Sequence, residues 1–308
     1  MKTSGKIKYF FLILLGVCFV QILATHDVIS ATILQDNFDS GYTIINNHSS
    51  LNALSTEFRN HGWDGCWWDG NSYLEVSSTR SHSGLYSIKH AYYANQDRAT
   101  LYVDDLSNRD ELYVSYYIYF ESDYWMGWST SGGEQKFGRY FDTAGHTGNV
   151  LLSQHLYPNG RLGAGVRMNW VLTTAGGQVL AQGYDFSRHR GQWLHIEYYF
   201  KLNTPGIRNG IIRMWINGVK QKMYETGTNR APGETILEVA DDSFIIRTSS
   251  SQHFNSFWLF SLNNGTPTPS PQVLYLDDVL VTDVLPADRS TEPTTPIPNA
   301  PTGLKIVQ

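Results

Sequence analysis

Alternation with a period of two governs the longest patterned segments of this chain. Over Leu112–Phe120, Leu112, Val114, Tyr116, Ile118 and Phe120 alternate with Tyr113, Ser115, Tyr117 and Tyr119. Over Trp193–Lys201, Leu194, Ile196, Tyr198 and Phe200 alternate with Trp193, His195, Glu197, Tyr199 and Lys201. A period of two sends one set of side chains to a core and leaves the other open. Ile211–Asn217 repeats the pattern, with Ile212, Met214 and Ile216 on one side and Arg213 and Trp215 on the other. Asn217-Gly218 then suits a type I′ hairpin turn into Lys220–Tyr224.

A first strand and turn are predicted over Ile33–Gly41, and further strands at Tyr73–Ser77, Tyr86–Tyr92, Ala99–Val103, Gln135–Phe141, Val150–Tyr157, Arg161–Trp170, Ser243–Arg247, Phe254–Ser261 and Val273–Thr282. Residues 42–72 read as irregular, and no segment past the N-terminus shows a convincing helical period. Many short strands punctuated by turns predict an all-β fold, a β-sandwich of the jelly-roll kind. A chain of 308 residues with 14% aromatic, 17% charged and 27 glycine residues suits one such domain with long loops.

The ends differ from the body. Lys2, Lys6 and Lys8 precede an apolar run from Tyr9 to Val20, too short to span a bilayer comfortably. Residues 1–31 are therefore expected to be a signal peptide cut near Ser30 or Ala31, with an uncleaved anchor as the competitor. The body, 32–285, is expected to be secreted or at the cell surface, with no other membrane contact. Residues 286–308 form a Pro/Thr-rich linker, ending in a stretch like the first strand of a fibronectin-type module. Without residues 1–31 the chain holds 20 basic and 27 acidic residues, which speaks against a nucleic-acid partner. It retains one cysteine, Cys66, within G-W-D-G-C-W-W-D-G; it reads as a small buried hydrophobe. The neighbouring Trp67 and Trp68 either pack a loop or stack on sugar rings. A monomer is expected.

Three stretches carry a resemblance. Tyr116–Trp125 reads Y-Y-I-Y-F-E-S-D-Y-W and is followed by Gly132-Gly133-Glu134-Gln135-Lys136. Trp193–Gly218 contains W-x-x-x-E, then K-L-N-T-P-G, then W-x-N-G. Val273–Val281 reads V-L-Y-L-D-D-V-L-V. Together they resemble the concanavalin A-like jelly-roll domains of bacterial extracellular proteins, in particular polysaccharide lyases of the alginate- and heparin-lyase type. The family's Gly-Gly-Lys segment is interrupted here by Glu134 and Gln135. Ser153-Gln154-His155 is similar to the Gln-x-His segment of alginate lyases, without its spacer residue.

The resemblance implies β-elimination on a uronate polymer. Such a reaction neutralises the carboxylate, removes the C5 proton and protonates the leaving oxygen. Relatives use Arg, Lys, Gln or Asn for the first task and His or Tyr for the others. Between Glu134 and Trp170 the only acids are Glu134 and Asp142, against four basic residues and two histidines. The candidate catalytic set is therefore His155 as base, Arg167 with Lys136 or Arg139 on the carboxylate, and Tyr140, then Tyr199, as acid. Arg139, Gln154, Trp193, Glu197, Tyr199, Arg213 and Trp215 are expected to bind substrate from open strand faces. Alternation puts Gln154 and His155 on opposite faces, with His155 outward.

Blander readings stand beside these. His155 is an ordinary hydrogen-bonded histidine; Lys136 and Arg139 coat an edge strand; Glu197 pairs with Arg213; Tyr113, Tyr117 and Tyr119 are cross-strand partners. No Glu-x-Asp-x-Glu strand, Gly-x-Ser-x-Gly elbow or HExxH segment is present. No cofactor is required. Asp36, Asp39, Asp277 and Asp278 are either turn and cap residues or the ligands of a structural calcium ion. Three functions remain open: a polysaccharide lyase, a non-catalytic carbohydrate-binding module of lectin type, and a structural surface protein.

Overall fold

The computed structural model describes residues 31–68, 72–93, 99–124, 134–143, 150–156, 165–168, 178–181, 186–226, 237–238, 240–264 and 271–290. Residues 1–30 of the expected signal segment, Gly132-Gly133, Arg161 and residues 291–308 of the linker lie outside them. Two antiparallel sheets stack face to face. Sheet A runs β13 (Val219–Lys220), β12 (Ile211–Ile216), β11 (Trp193–Lys201), β6 (Glu111–Phe120), β17 (Gln272–Thr282), β4 (Ser87–Tyr92), β3 (Tyr73–Ser77). β1 (Thr32–Asp36) pairs with the second half of β17, beyond β4. Sheet B runs β15 (Leu237–Glu238), β14 (Met223–Thr226), β10 (Gln178–Ala181), β9 (Gly165–Met168), β8 (Val150–Leu156), β7 (Glu134–Phe141), β16 (Ser256–Asn264), β5 (Ala99–Val103), β2 (Gly65–Trp68).

The inward residues of both sheets make one core. Leu112, Val114, Tyr116, Ile118 and Phe120 of β6 and Leu194, Ile196, Tyr198 and Phe200 of β11 all lie in it, as alternation predicts. They meet Phe137 and Tyr140 of β7 and Phe257, Leu259 and Phe260 of β16. Asn217 and Gly218 both have positive φ, 51° and 76°, so the hairpin turn is of the primed kind. The chain then leaves sheet A, and β14 pairs with β10 in sheet B.

Two expectations fail. Ser243–Arg247 is not a strand: only Phe244 bridges, to Gly210. The buried Asn203 side chain takes the place of a ladder, accepting from Ile246 N and Arg247 N at 2.7 Å each. Residues 42–72 are not wholly irregular, for Leu51–Arg59 is a helix, α1, capped by Ser50. Leu54 and Phe58 are buried in the core, and Leu51 packs against it. A one-turn helix, α2 (Ala287–Ser290), follows β17. No helix among the described residues is long and apolar enough to cross a membrane.

Candidate functional site

The basic strip lies on β7, β8 and β9, in the interior of sheet B, so Lys136 and Arg139 do not coat an edge. A bulge in β7 falls between Lys136 and Gly138. It turns Phe137 and Tyr140 to the core while keeping Lys136 and Arg139, both half-buried, on the outer face. Residues directly opposite in an antiparallel pair share a face. Lys136 stands opposite His155, and Arg139 opposite Ser153, which stands opposite Arg167 on the next strand. Gln154 stands opposite Gly138 and Val166, out of both rows. Ser153 is buried, and its hydroxyl has no hydrogen-bond partner among the described residues. The Arg139 guanidinium lies 5.1 Å from the Phe141 ring centroid.

Tyr140 needs correction. It has no exposed surface and packs edge-on against Phe200 of the facing sheet at 5.0 Å between centroids. A phenol there meets no polymer.

The second expected group, Trp193, Glu197, Tyr199, Arg213 and Trp215, belongs to the outer face of sheet A. The sandwich core separates it from the basic strip, so the two groups do not form one cleft. Nor is that face open. Glu197, Tyr199 and Trp215 are 0%, 5% and 3% exposed. Leu285 packs on the cluster of Tyr113, Tyr199 and Trp215. Arg289 of α2 reaches Glu197 with Nε 2.6 Å and Nη2 3.1 Å from its carboxylate oxygens, and the Tyr113 hydroxyl donates to it at 2.6 Å. Arg213 pairs instead with Asp241, at 2.9 Å. Burial pushes the Tyr199 phenol well up, and its hydroxyl donates to Glu111. His195 lies 2.8 Å from Ser115 Oγ through Nε2, and burial holds its pKa below the usual range. Tyr117 stacks between His82 and His195, at 3.4 and 4.4 Å, as a cross-strand partner. Trp193, half-buried, sits edge-on to His82.

Known structures make the same sandwich. An endo-β-1,4-glucuronan lyase from Trichoderma reesei superposes with a TM-score of 0.50 at 12% identity, over 72% of this chain and 91% of that one. A marine PL-14 alginate lyase from Aplysia kurodai gives 0.52 at 16% identity, over 82% of this chain and 98% of that one. The fold is a polysaccharide-lyase-like jelly roll. At these identities the likeness is one of fold. No family model matches the chain, and no curated protein matches its sequence.

The four aspartates are engaged by donors. Asp36 is buried and accepts from Tyr42 at 2.5 Å, Trp63 at 2.9 Å and Phe38 N at 2.8 Å. Asp39 accepts from Leu85 N and Tyr86 N. Asp277 accepts from His82 N, Ser83 N and Asp278 N, although burial pushes its carboxyl up to about 7. Asp278 meets the His82 ring at 2.6 Å and the Ser83 hydroxyl. Asp39, Asp277 and Asp278 fasten the loop between β3 and β4, and no cluster of three or more metal-ligating acids, histidines or cysteines occurs among the described residues. Cys66 is buried in the core, and burial pushes its thiol up to about 12, which leaves it inert as a nucleophile.

Proposed function

We propose that the protein is a polysaccharide lyase that cleaves a uronate polymer by β-elimination on the outer face of sheet B. The observation that carries this reading is the register: Lys136 opposite His155, and beside them the row Arg139, Ser153, Arg167. Directly opposite residues have Cβ atoms about 5 Å apart, close enough to serve one linkage.

The roles follow from chemistry. Arg139 and Arg167 hold the uronate carboxylate with charge-assisted hydrogen bonds, which acidifies the C5 proton. The neutral His155 imidazole takes that proton. The electron pair left on C5 forms the C4–C5 double bond as the bond from C4 to the glycosidic oxygen breaks. With Tyr140 in the core and Tyr199 on the other sheet, the Lys136 ammonium is the donor that protonates the leaving oxygen. Solvent restores both groups. The reading makes the protein an exported one acting on polysaccharide outside the cell.

The test is ultraviolet absorbance of the conjugated double bond, with alginate, glucuronan, heparin and pectate as substrates. One of them gives a rise, and His155→Ala lowers its rate by about a hundredfold or more while the circular dichroism spectrum is kept. No rise with any polymer, together with retention on one of them in affinity gels, would leave a non-catalytic carbohydrate-binding module in place of the lyase.

A further inference from the structure

The Trp67-Trp68 pair has no part in that reaction, and its place in the fold gives it a use. Cys66 and Trp68 of β2 turn toward the core, so Trp67 lies on the outer face, opposite Thr100 of β5. Tyr102, two residues along β5, stands opposite Gly65 on one side and Trp258 of β16 on the other. Trp258 stands opposite Arg139. One register row thus runs Gly65, Tyr102, Trp258, Arg139, Ser153, Arg167 across the sheet, and Trp67 lies two residues along β2 from its Gly65 end. Trp67 and Tyr102 are half-buried, whereas Trp258 is 9% exposed beneath, its ring 6.4 Å from that of Tyr102. Gly65 is shaped for this: a Cβ there would come within 2.7 Å of the Tyr102 hydroxyl.

We infer that Trp67 and Tyr102 form a sugar-stacking subsite at the β2 and β5 end of sheet B, for pyranose rings of the same uronate polymer remote from the cleaved bond. The inference rests on the lyase reading for its ligand. Three arguments favour that occupant. The shelf is continuous with the basic row through Trp258 and Arg139. Half-buried aromatic side chains on an outer sheet face suit the apolar face of a pyranose. The spacing also fits: β2 lies four strands from β8 in the sheet order, about 19 Å at about 4.8 Å per strand. That is the length of several sugar residues, so the subsite serves long chains and not the shortest fragments.

The experiment compares Trp67→Ala, Trp67→Phe and Tyr102→Leu with the wild type in a His155→Ala background that cannot consume its ligand. Retention in gels containing the polymer, and inhibition of that retention by uronate trisaccharide, are measured. Loss of one stacking ring weakens polymer binding about three- to tenfold, leaves trisaccharide binding unchanged, and is largely restored in Trp67→Phe. Equal polymer affinity in Trp67→Ala, or an equal loss for trisaccharide, overturns the subsite while leaving the lyase reading intact. Should Trp67→Ala fail to fold, Trp67→Phe and Tyr102→Leu carry the same comparison. A wild type that neither cleaves nor is retained by any uronate polymer overturns both readings.

Discussion

Glu197 is a carboxylate with no exposed surface in the middle of a sheet. Its charge is tolerated because Arg289 grips both oxygens and Tyr113 donates to one of them. Removing one partner of a buried pair strands the other charge, so Arg289→Ala lowers stability by about 3 kcal/mol. Adding Glu197→Gln to that variant recovers part of the loss. Urea unfolding checks both, and an unchanged midpoint in Arg289→Ala would mean that α2 is not docked in solution. Glu197 was legible as an outward residue, but its partner was not. Arg213 lies on the adjacent strand and was the natural choice, whereas Arg289 is 92 positions away. His90 poses the opposite problem. It is fully buried, its Nε2 has no partner among the described residues, and desolvation holds its pKa well below the ordinary value. The folded protein keeps it neutral while the unfolded chain protonates it below about pH 6.5. Its stabilising contribution is therefore complete above that pH and is lost as pH falls, by up to about 1.4 kcal/mol per unit. His90→Leu flattens the dependence of stability on pH between about 6.5 and 5 by up to one proton; an unchanged slope would show that His90 does not titrate with unfolding.

Elements defined by alternation were legible, since β6, β11 and β12 lie where the period of two places them. What the pattern hides are departures from it. The bulge in β7 reconciles Lys136 and Arg139, three apart in sequence, with one face, and nothing in E-Q-K-F-G-R-Y-F marks its position beyond Gly138. The same bulge buries Tyr140. Helix α1 escaped notice because it is short, with only Leu51, Leu54 and Phe58 meeting the core. The segment from Ser243 to Arg247 has strand-like composition but takes its order from a side chain. Asn203 Oδ1 accepts from two backbone N–H groups, and Nδ2 donates to Arg247 O at 3.0 Å. Asn203→Ala leaves these buried groups unpaired, each costing about 1–3 kcal/mol. The variant is expected to lose about 3 kcal/mol in total and to expose the amides of Ile246 and Arg247 to hydrogen exchange. Retained protection there would mean that the Gly210–Phe244 bridge alone holds the segment.

At the scale of the whole molecule the two outer faces differ in what covers them and in charge. Sheet A is sealed, by the loop between β3 and β4 and by the segment that ends in α2, and its polar residues satisfy one another. Sheet B carries the basic row. The chain as a whole is acidic, with a formal net charge of −5, so attraction for a polyanion has to be local. This division makes a paired prediction. Trp215→Ala removes a side chain from the sealed cluster and lowers stability, while retention by the uronate polymer stays unchanged. Arg139→Gln has the reverse effect, with little change in the unfolding midpoint and weaker retention. Salt separates charge from stacking in that result. Raising the salt from about 0.05 to 0.5 M shortens the screening length severalfold. Wild-type retention therefore falls steeply with salt, and that of Arg139→Gln falls less, because one cation has left the row. Trp67→Ala keeps the wild-type slope at lower affinity. Parallel slopes for wild type and Arg139→Gln would remove Arg139 from the polymer path and move the binding face away from sheet B.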